Sequence, residues 1–179
     1  MSEYRLRALQ PEDVDAVLQF ELAHKSFFEQ KIEARPEDFY QPDAVQHHIA
    51  EFLLLQQQGL ALPTLVFSAD NELIGRANLK DIDQVTKSAY VGYRIAEHWS
   101  GKGVASFALE QLIQQSKQMG LMILFACVST ENSASERVLR KAGFQQLETI
   151  PQVAIVQGQA VAGLSLIHIS EPTRRTPIS

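Results

Sequence analysis

Hydrophobic and polar positions alternate along several short stretches of the chain, and this two-residue period predicts β-strands. The first stretch is YRLRAL, at residues 4–9, and the next two lie in TLVFSADNELIGRANLKDI, joined by a turn at Asp70-Asn71. In the fourth stretch, KSAYVGYRIA, the alternation places these side chains on one face: Ala89, Val91, Tyr93 and Ile95. Because the last three strands are adjacent in sequence, we expect an antiparallel meander.

A longer period of three to four residues predicts helices before the meander. The first helix is expected to begin after Pro11 and to run towards Phe28. The second contains Val45 and Ile49 at helical spacing and is expected to end at Gly59. The chain therefore begins with a strand and two helices.

A helix, a strand and a further helix are predicted after the meander. The first of these is expected to start near Gly103, with five inward-facing residues: Ala105, Leu109, Leu112, Ser116 and Met119. After Gly120 comes the wholly apolar stretch LMILFACV, which is typical of a strand buried on both faces. Ser133 and Glu136 have the spacing of a capping box, and the short helix that follows is expected to end at Gly143. The order of strand, helix and buried strand predicts a βαβ unit.

The composition fits a single domain without a nucleic-acid or membrane partner. The chain has 179 residues, a formal net charge of −5 and a pI near 5.5, which argues against general binding to nucleic acid. The first residues, MSEYRLRALQPEDVD, lack the apolar core of a signal peptide, and the longest apolar run, residues 121–128, is too short to span a bilayer. We therefore expect a cytoplasmic protein, either a monomer or a homodimer.

The sequence offers few candidates for metal binding. Its single cysteine, Cys127, lies within the apolar strand and is interpreted as a buried thiol, so neither a disulfide framework nor a thiolate cluster is available. His47 and His48 occupy adjacent helical positions that point in different directions, which favours two surface histidines over a metal-binding pair. No metal cofactor is predicted.

Two glycines and a lysine stand directly before the third predicted helix, in EHWSGKGVASFALEQL at residues 97–112. A helix N-terminus leaves main-chain N–H groups unpaired and carries about half a positive charge, so it can bind a phosphate group. Gly101 and Gly103 would let a ligand approach the backbone closely, while Lys102 could add a positive charge. The spacing is neither that of a nucleotide P-loop nor that of a dinucleotide-binding loop. A plain glycine turn explains this stretch about equally well.

A second motif makes the pattern specific. The segment NSASERVLRKAGF, residues 132–144, follows GYRIAEHWSGKGVA, residues 92–105, by about one strand. Together these motifs resemble the GNAT superfamily of N-acetyltransferases, and within it the ribosomal-protein-alanine N-acetyltransferases, over residues 4–163. The resemblance implies an α/β (α+β) fold: a mixed central sheet of six to seven strands, helices on both faces and a βαβ core that binds the cofactor.

The resemblance also implies acetyl-CoA as the co-substrate. The family's pyrophosphate loop has Gln or Arg, two variable residues, Gly, one variable residue, and then Gly or Ala; these positions hold Ser100, Gly103 and Ala105. Ser100 departs from this pattern and removes one side-chain contact, which leaves main-chain amides as the principal phosphate ligands. The implied cofactor residues are Tyr93, Arg94, Ile95, Gly101, Lys102, Gly103, Val104, Ala105, Ser106 and Asn132. Asn132 directly precedes a helix, so it is also a candidate N-cap.

The predicted reaction is direct attack of a primary amine on the thioester. A peptide α-amine, with a pKa near 8, is about one tenth neutral at pH 7, whereas a lysine side chain is far less so. An α-amine therefore needs little help from a general base, and none is assigned. The candidates, each interpreted as a surface carboxylate, are Glu97, Glu131, Asp81 and Asp83. The resemblance suggests Ser135 as the acid that protonates the departing thiolate, and a packed, backbone-bonded serine is the alternative.

The acceptor is not fixed by these motifs. A protein N-terminal α-amine is favoured, with a small amine such as a polyamine or an aminoglycoside as the alternative. A non-catalytic regulator that binds acyl-CoA would carry the same cofactor loop. Transfer to an added amine would separate an enzyme from such a regulator.

The end of the sequence differs in character from the rest. LETIPQVAIVQGQAVAG, residues 147–163, predicts two strands that turn near Gln157-Gly158. The following LSLIHISEPTRRTPIS, residues 164–179, resembles the translation of a transposase sequencing adapter, and its two prolines cannot continue a central strand. We therefore expect a domain of residues 1–163 with a truncated last strand, followed by a foreign tail that makes few specific contacts.

Overall fold

A computed structural model gives the structure of residues 3–170. Its strands are β1 (Tyr4–Ala8), β2 (Leu62–Ser68), β3 (Leu73–Asp83), β4 (Ser88–Ile95), β5 (Ile123–Ser129), β6 (Gln145–Val156) and β7 (Gln159–Ile169). Its α-helices are α1 (Val14–Ala23), α2 (Lys25–Glu29), α3 (Pro42–Gln57), α4 (Val104–Gln118) and α5 (Ser133–Lys141). In this part of the chain no helix is long and apolar enough to cross a membrane.

The strands form one mixed sheet in the order β1-β2-β3-β4-β5-β7-β6. β4 and β5 are parallel and are connected through α4, which is the predicted βαβ unit. The other neighbouring pairs are antiparallel, and β2, β3 and β4 form the predicted meander. The prediction of a mixed sheet of six to seven strands with helices is therefore confirmed.

Helices pack against both faces of the sheet. Successive side chains of a strand point to opposite faces, so Leu65 and Phe67 face one side of β2 and Val66 faces the other. Leu65 and Phe67 lie in a core with residues of α1 and α3, whereas Val66 belongs to the larger core under α4. The two faces of the sheet are thus covered by different helices.

Part of the α1–α3 side of the sheet stays uncovered where it reaches β4, β5 and β7. Tyr90 of β4 and Phe125 of β5 are cross-strand neighbours there, with ring centroids 5.2 Å apart. Among the described residues, no heavy atom lies within 4 Å of the position that a Cβ would take at Gly92. We call this surface the open face; it consists of Tyr90, Gly92, Phe125, Cys127 and Ile167.

The helix predicted from Pro11 towards Phe28 is interrupted. A short 3-10 turn comes first, α1 then ends at Ala23, and α2 begins at Lys25. The break at His24, with φ −112° and ψ 12°, lets Phe20 and Phe28 bring their rings to 5.7 Å. Side chains eight residues apart in a straight helix would be separated by about 12 Å along the axis, so the contact requires the break.

The prediction that Cys127 is buried is wrong. Its neighbours Ala126 and Val128 are buried in the core under the helices, and Cys127 points to the opposite side of β5 and is exposed. The apolar run LMILFACV was interpreted as a strand covered on both faces. No described helix covers β5 on the open face, so the strand is buried on one side.

The expectation that residues from Leu164 onwards make few specific contacts is also wrong for residues 164–169. β7 continues to Ile169 and lies between β5 and β6, with Leu164 opposite Val128 and Leu166 opposite Ala126. Leu166 is fully buried. The strand is therefore not truncated at Gly163, because alternating apolar residues of the segment fill positions in the sheet. The foreign origin of this segment stays a prediction, and residues 171–179 lie outside the described residues.

Candidate active site

A gap between β4 and β5 forms the centre of the site. β4 and β5 pair with each other only over Ser88–Tyr90 and Ile123–Phe125. Beyond this point β4 continues to pair with β3, and β5 with β7. The edge of β4 that faces the gap therefore offers main-chain N–H and C=O groups to a ligand.

An open cleft of about 550 Å³ lies at this gap, with α4 and α5 on one side of it and α2 and the residues after α2 on the other. It brings together nearly all of the residues that the sequence singled out. Of the predicted cofactor and catalytic residues, those that line it are Tyr93, Arg94, Ile95, Gly101, Gly103, Val104, Ala105, Ser106, Asn132 and Ser135.

The glycine loop has the backbone geometry that its sequence suggested. Gly101 and Gly103 have φ values of 72° and 81°, in the left-handed region that favours glycine. Gly103 is the N-cap of α4, and a Cβ at either glycine would meet no described heavy atom within 4 Å. The first main-chain N–H groups of α4 thus open onto the cleft, in the arrangement that suits a phosphate group.

Lys102 is the one predicted cofactor residue that does not line the cleft. Its Nζ lies 5.0 Å from the centre of the Trp99 ring, and its carbonyl oxygen accepts a 2.6 Å hydrogen bond from Tyr4 Oη. Trp99 packs against the core and also forms part of the cleft wall. The Trp99 indole Nε1 donates to Glu72 at 2.6 Å.

A hydroxyl pair lies opposite the glycine loop. Ser135, in the first turn of α5, is hydrogen-bonded through its Oγ to Tyr93 Oη at 2.8 Å. Burial raises the pKa of Tyr93, and the hydrogen bond to Ser135 opposes this shift only in part. The tyrosine therefore stays protonated at neutral pH and can supply a proton to the serine.

Asn132, rather than Ser133, caps α5. The Asn132 Oδ1 accepts a hydrogen bond from the main-chain N–H of Ser135 at 3.3 Å, which corrects the capping box predicted for Ser133 and Glu136. Because the helix begins one residue earlier than that pattern implied, Glu136 is free to pair with Arg140 at 2.9 Å. Asn132 fixes the turn that presents Ser135 to the cleft.

Arg94 has a different environment from its strand neighbours. The Tyr93 side chain reaches α5, so the Arg94 side chain leaves the opposite face of β4. Its Nη1 lies 3.3 Å from Glu21 Oε2, and its guanidinium lies 5.2 Å from the centre of the Phe28 ring. Burial lowers the pKa of Arg94 to about 10, although the Glu21 carboxylate acts against this shift.

Sequence reasoning missed several residues of the cleft wall. The additional lining residues are Phe27, Phe28, Lys31, Ile32, Ala134, Arg137, Val138 and Lys141. Arg137 and Lys141 lie within the second motif, four residues apart on one face of α5, so their helical spacing could have indicated them as a pair. Nothing in the sequence around Lys31 indicated that α2 and the residues after it form the opposite wall.

The carboxylates considered as general bases lie outside the cleft. Glu97, Glu131, Asp81 and Asp83 are all exposed and none of them lines it. Their interpretation as surface carboxylates is confirmed by this exposure.

Comparison with known proteins gives the family. The model of the acetyltransferase (GNAT) domain matches residues 4–145. The chain is 28% identical over 144 residues to the probable N-acetyltransferase YjcK of Bacillus subtilis, which covers 79% of this chain and 80% of that protein. It is 33% identical over 93 residues to the ribosomal-protein-serine acetyltransferase of Escherichia coli, covering 51% of each.

A solved structure extends the likeness to nearly the whole chain. It is that of RimL, the ribosomal L7/L12 alpha-N-protein acetyltransferase, in complex with coenzyme A. The identity is 25%, the TM-score is 0.88, and the match covers 95% of this chain and 96% of that chain. The predictions of an N-acetyltransferase and of acetyl-CoA as co-substrate are confirmed: the chain belongs to the GNAT family of acetyltransferases.

Proposed function

We propose that this protein transfers the acetyl group of acetyl-CoA to the α-amine at the N-terminus of an acceptor protein. The observation that carries the proposal is the gap between β4 and β5, where the cleft is lined by Tyr93 and Ser135 on one side of the sheet and by Arg94 and Phe28 on the other. A thioester held in the cleft can be reached by an amine from the other side of the sheet. The relatives named for ribosomal-protein serine and L7/L12 acetylation support a protein acceptor.

The glycine loop and the free edge of β4 suit the two ends of the cofactor. The main-chain amides at the start of α4 would hold the pyrophosphate, as the helix N-terminus favours an anion. The main-chain groups of Tyr93, Arg94 and Ile95 would bind the pantetheine arm in the manner of an added strand. Three cations of the cleft wall, Lys31, Arg137 and Lys141, add positive charge for the phosphates.

The chemistry follows from the groups that the cleft presents. The neutral amine attacks the thioester carbonyl carbon, main-chain N–H groups at the gap stabilise the oxyanion, and the C–S bond then breaks. Ser135 gives its proton to the departing thiolate and recovers one from Tyr93 through their 2.8 Å hydrogen bond. The nitrogen of the tetrahedral intermediate loses its extra proton to water, and Tyr93 regains a proton from water, so the protons balance and no side-chain base is required for an α-amine.

The experiment follows thiol release from acetyl-CoA with four kinds of acceptor: a peptide with a free α-amine, the same peptide with a blocked N-terminus and a free lysine, a polyamine, and an aminoglycoside. We expect rapid release with the free α-amine and little with the blocked peptide. Faster transfer to a small amine would replace the protein acceptor by that amine. Binding of acetyl-CoA without transfer to any of the four would make the protein a regulator.

A variant links the result to the site. Ser135→Ala removes the proposed acid and is expected to lower the rate, whereas Ser133→Ala, at an exposed neighbour on α5 that does not line the cleft, is the matched control. Equal rates for the two variants would exclude Ser135 as the acid. The cytoplasmic location and the monomeric or dimeric state stay predictions.

A further inference from the structure

Three arginines converge on one buried carboxylate beside the gap. Glu21 of α1 is fully buried, and its Oε1 lies 2.8 Å from Arg76 Nη1 and 3.1 Å from Arg35 Nη2. Its Oε2 lies 3.3 Å from Arg94 Nη1. We call these four residues the arginine cluster; they come from α1, the segment after α2, β3 and β4.

The arginine cluster carries more positive than negative charge. Burial would raise the pKa of Glu21, but the attraction of Arg94, Arg35 and Arg76 outweighs it and lowers that pKa, so the carboxylate is ionised. Three guanidinium groups and one carboxylate leave a formal charge of +2. Buried charges are stable when each has a partner of opposite sign, so this arrangement is incomplete.

The neighbouring histidine does not supply the missing charge. His48 Nε2 lies 3.0 Å from Arg76 Nη2. Burial and the positive charge of Arg76 lower the pKa of His48 to about 3, so the ring is neutral and accepts this hydrogen bond. Arg76 is 2% exposed, and its Nε has no hydrogen-bond partner among the described residues.

Two members of the arginine cluster are within reach of a ligand. The side chains of Arg35 and Arg94 are 20% and 19% exposed. Arg94 also lies at the gap, on the side of the sheet opposite the Tyr93–Ser135 pair. That is the side from which an acceptor amine would enter, next to the unobstructed surface at Gly92. Arg35 does not line the cleft that holds the glycine loop, so the phosphates of the cofactor are not placed to pair with it.

We propose that Arg35 and Arg94 bind a carboxylate of the acceptor, namely an aspartate or glutamate side chain close to its N-terminal residue. This inference rests on the proposed function, since it assumes a peptide acceptor on the open face. A carboxylate accepts paired hydrogen bonds from guanidinium groups, which gives both affinity and orientation. Glu21 and Arg76 hold the two exposed arginines in position beneath the incoming chain.

The test uses acetyl transfer to hexapeptides with a free α-amine that differ at one position. Each peptide carries a single Glu at position 2, 3, 4 or 5, or the isosteric Gln at the same position. We expect at least one Glu peptide to have a kcat/KM about tenfold or more above its Gln partner, mainly through KM, because charge-assisted hydrogen bonds are stronger than neutral ones. The preference should decrease as salt is added.

Arg35→Gln should remove most of this preference, since it deletes one of the two guanidinium groups that would bind the carboxylate. Arg5→Gln is the matched control, because Arg5 lies on β1 and bonds to Asn71 at the surface. Efficient transfer to Glu and Gln peptides alike at every position would overturn the carboxylate site and leave the proposed function standing. Transfer to none of the peptides would overturn the proposed function, and this site with it. The wild-type Glu-to-Gln ratio decides the point even if Arg35→Gln does not fold.

Discussion

Replacing Gly103 by valine should abolish most of the stabilisation by acetyl-CoA. If acetyl-CoA binds the native state alone, a concentration of about 100 times Kd raises the free energy of unfolding by about 2.7 kcal/mol. For a domain of this size that is about 5 to 10 °C in melting temperature. A valine at the N-cap of α4 would place a branched side chain where the phosphate must approach. A hundredfold loss of affinity would leave about 0.4 kcal/mol at the same concentration, or about 1 °C.

Backbone strain has to be separated from the loss of binding. Gly103 has φ 81°, so valine there should itself destabilise the free protein by about 1 to 2 kcal/mol. Gly120, beyond the other end of α4, also has φ 81° and open space around its Cβ position, but it does not line the cleft. Gly120→Val is therefore the matched control.

Thermal unfolding with and without acetyl-CoA measures both effects. Both variants should melt at a similarly lowered temperature without ligand, and Gly120→Val alone should retain the full ligand-induced shift. An equal shift in the two variants would refute phosphate binding at the start of α4. A wild-type melting curve unchanged at millimolar acetyl-CoA would refute cofactor binding as a whole.

Three further predictions concern the proposed acid, a half-buried histidine and the last strand. Ser135→Ala should lower kcat with little change in the KM for acetyl-CoA. The loss of kcat should be smaller with an acyl donor whose thiol is more acidic, because such a thiolate leaves without protonation. A change confined to KM would contradict the acid role of Ser135. His48 has a folded pKa of about 3, below the value of about 6.5 in an unfolded chain, so the unfolded state binds the extra proton and stability should fall as pH drops from about 6.5 towards 3. His48→Gln should lower the number of protons taken up on urea unfolding in this pH range by nearly one, and a variant that keeps the wild-type pH dependence would contradict this role of His48. Leu166→Ala should lower the free energy of unfolding by about 2 to 5 kcal/mol, because Leu166 is fully buried. Ile169→Ala should lower it by less than about 0.5 kcal/mol, because the Ile169 side chain is exposed. Equal, small effects of the two variants in denaturant titrations would show that this part of β7 is not packed as described.

The cofactor side of the site was largely predictable from the sequence because its information is local. The loop around Gly103, the N-terminus of α4 and the turn at Asn132 each depend on residues within one short segment. Glycine and capping preferences act over such distances. The parallel pairing of β4 with β5 follows from the βαβ pattern and brings these two segments to the same cleft.

The acceptor side was not predictable in the same way, because its contacts join distant segments. Glu21 and Arg76 are 55 positions apart and appear in the sequence as two unremarkable charged residues. His48 was interpreted as a surface residue, although burial and Arg76 hold it neutral within the protein. Such pairings depend on how α1 and α3 pack against β3. Hydrophobic periodicity predicts which face of a helix is buried, but it does not predict which polar side chain a residue of that helix will contact.

One strand connects the two sides. On β4, Tyr93 points to Ser135 on one side of the sheet, and the next residue, Arg94, points to Glu21 on the other side. Because successive side chains of a strand alternate, a single residue step separates the group that would protonate the thiolate from the group that would hold the acceptor. The two groups can act on the same reaction because β4 and β5 do not pair at this point, whereas a continuous sheet would separate its two sides. In the proposed function, the same break that frees main-chain groups for acetyl-CoA would therefore also give an amine its path to the thioester.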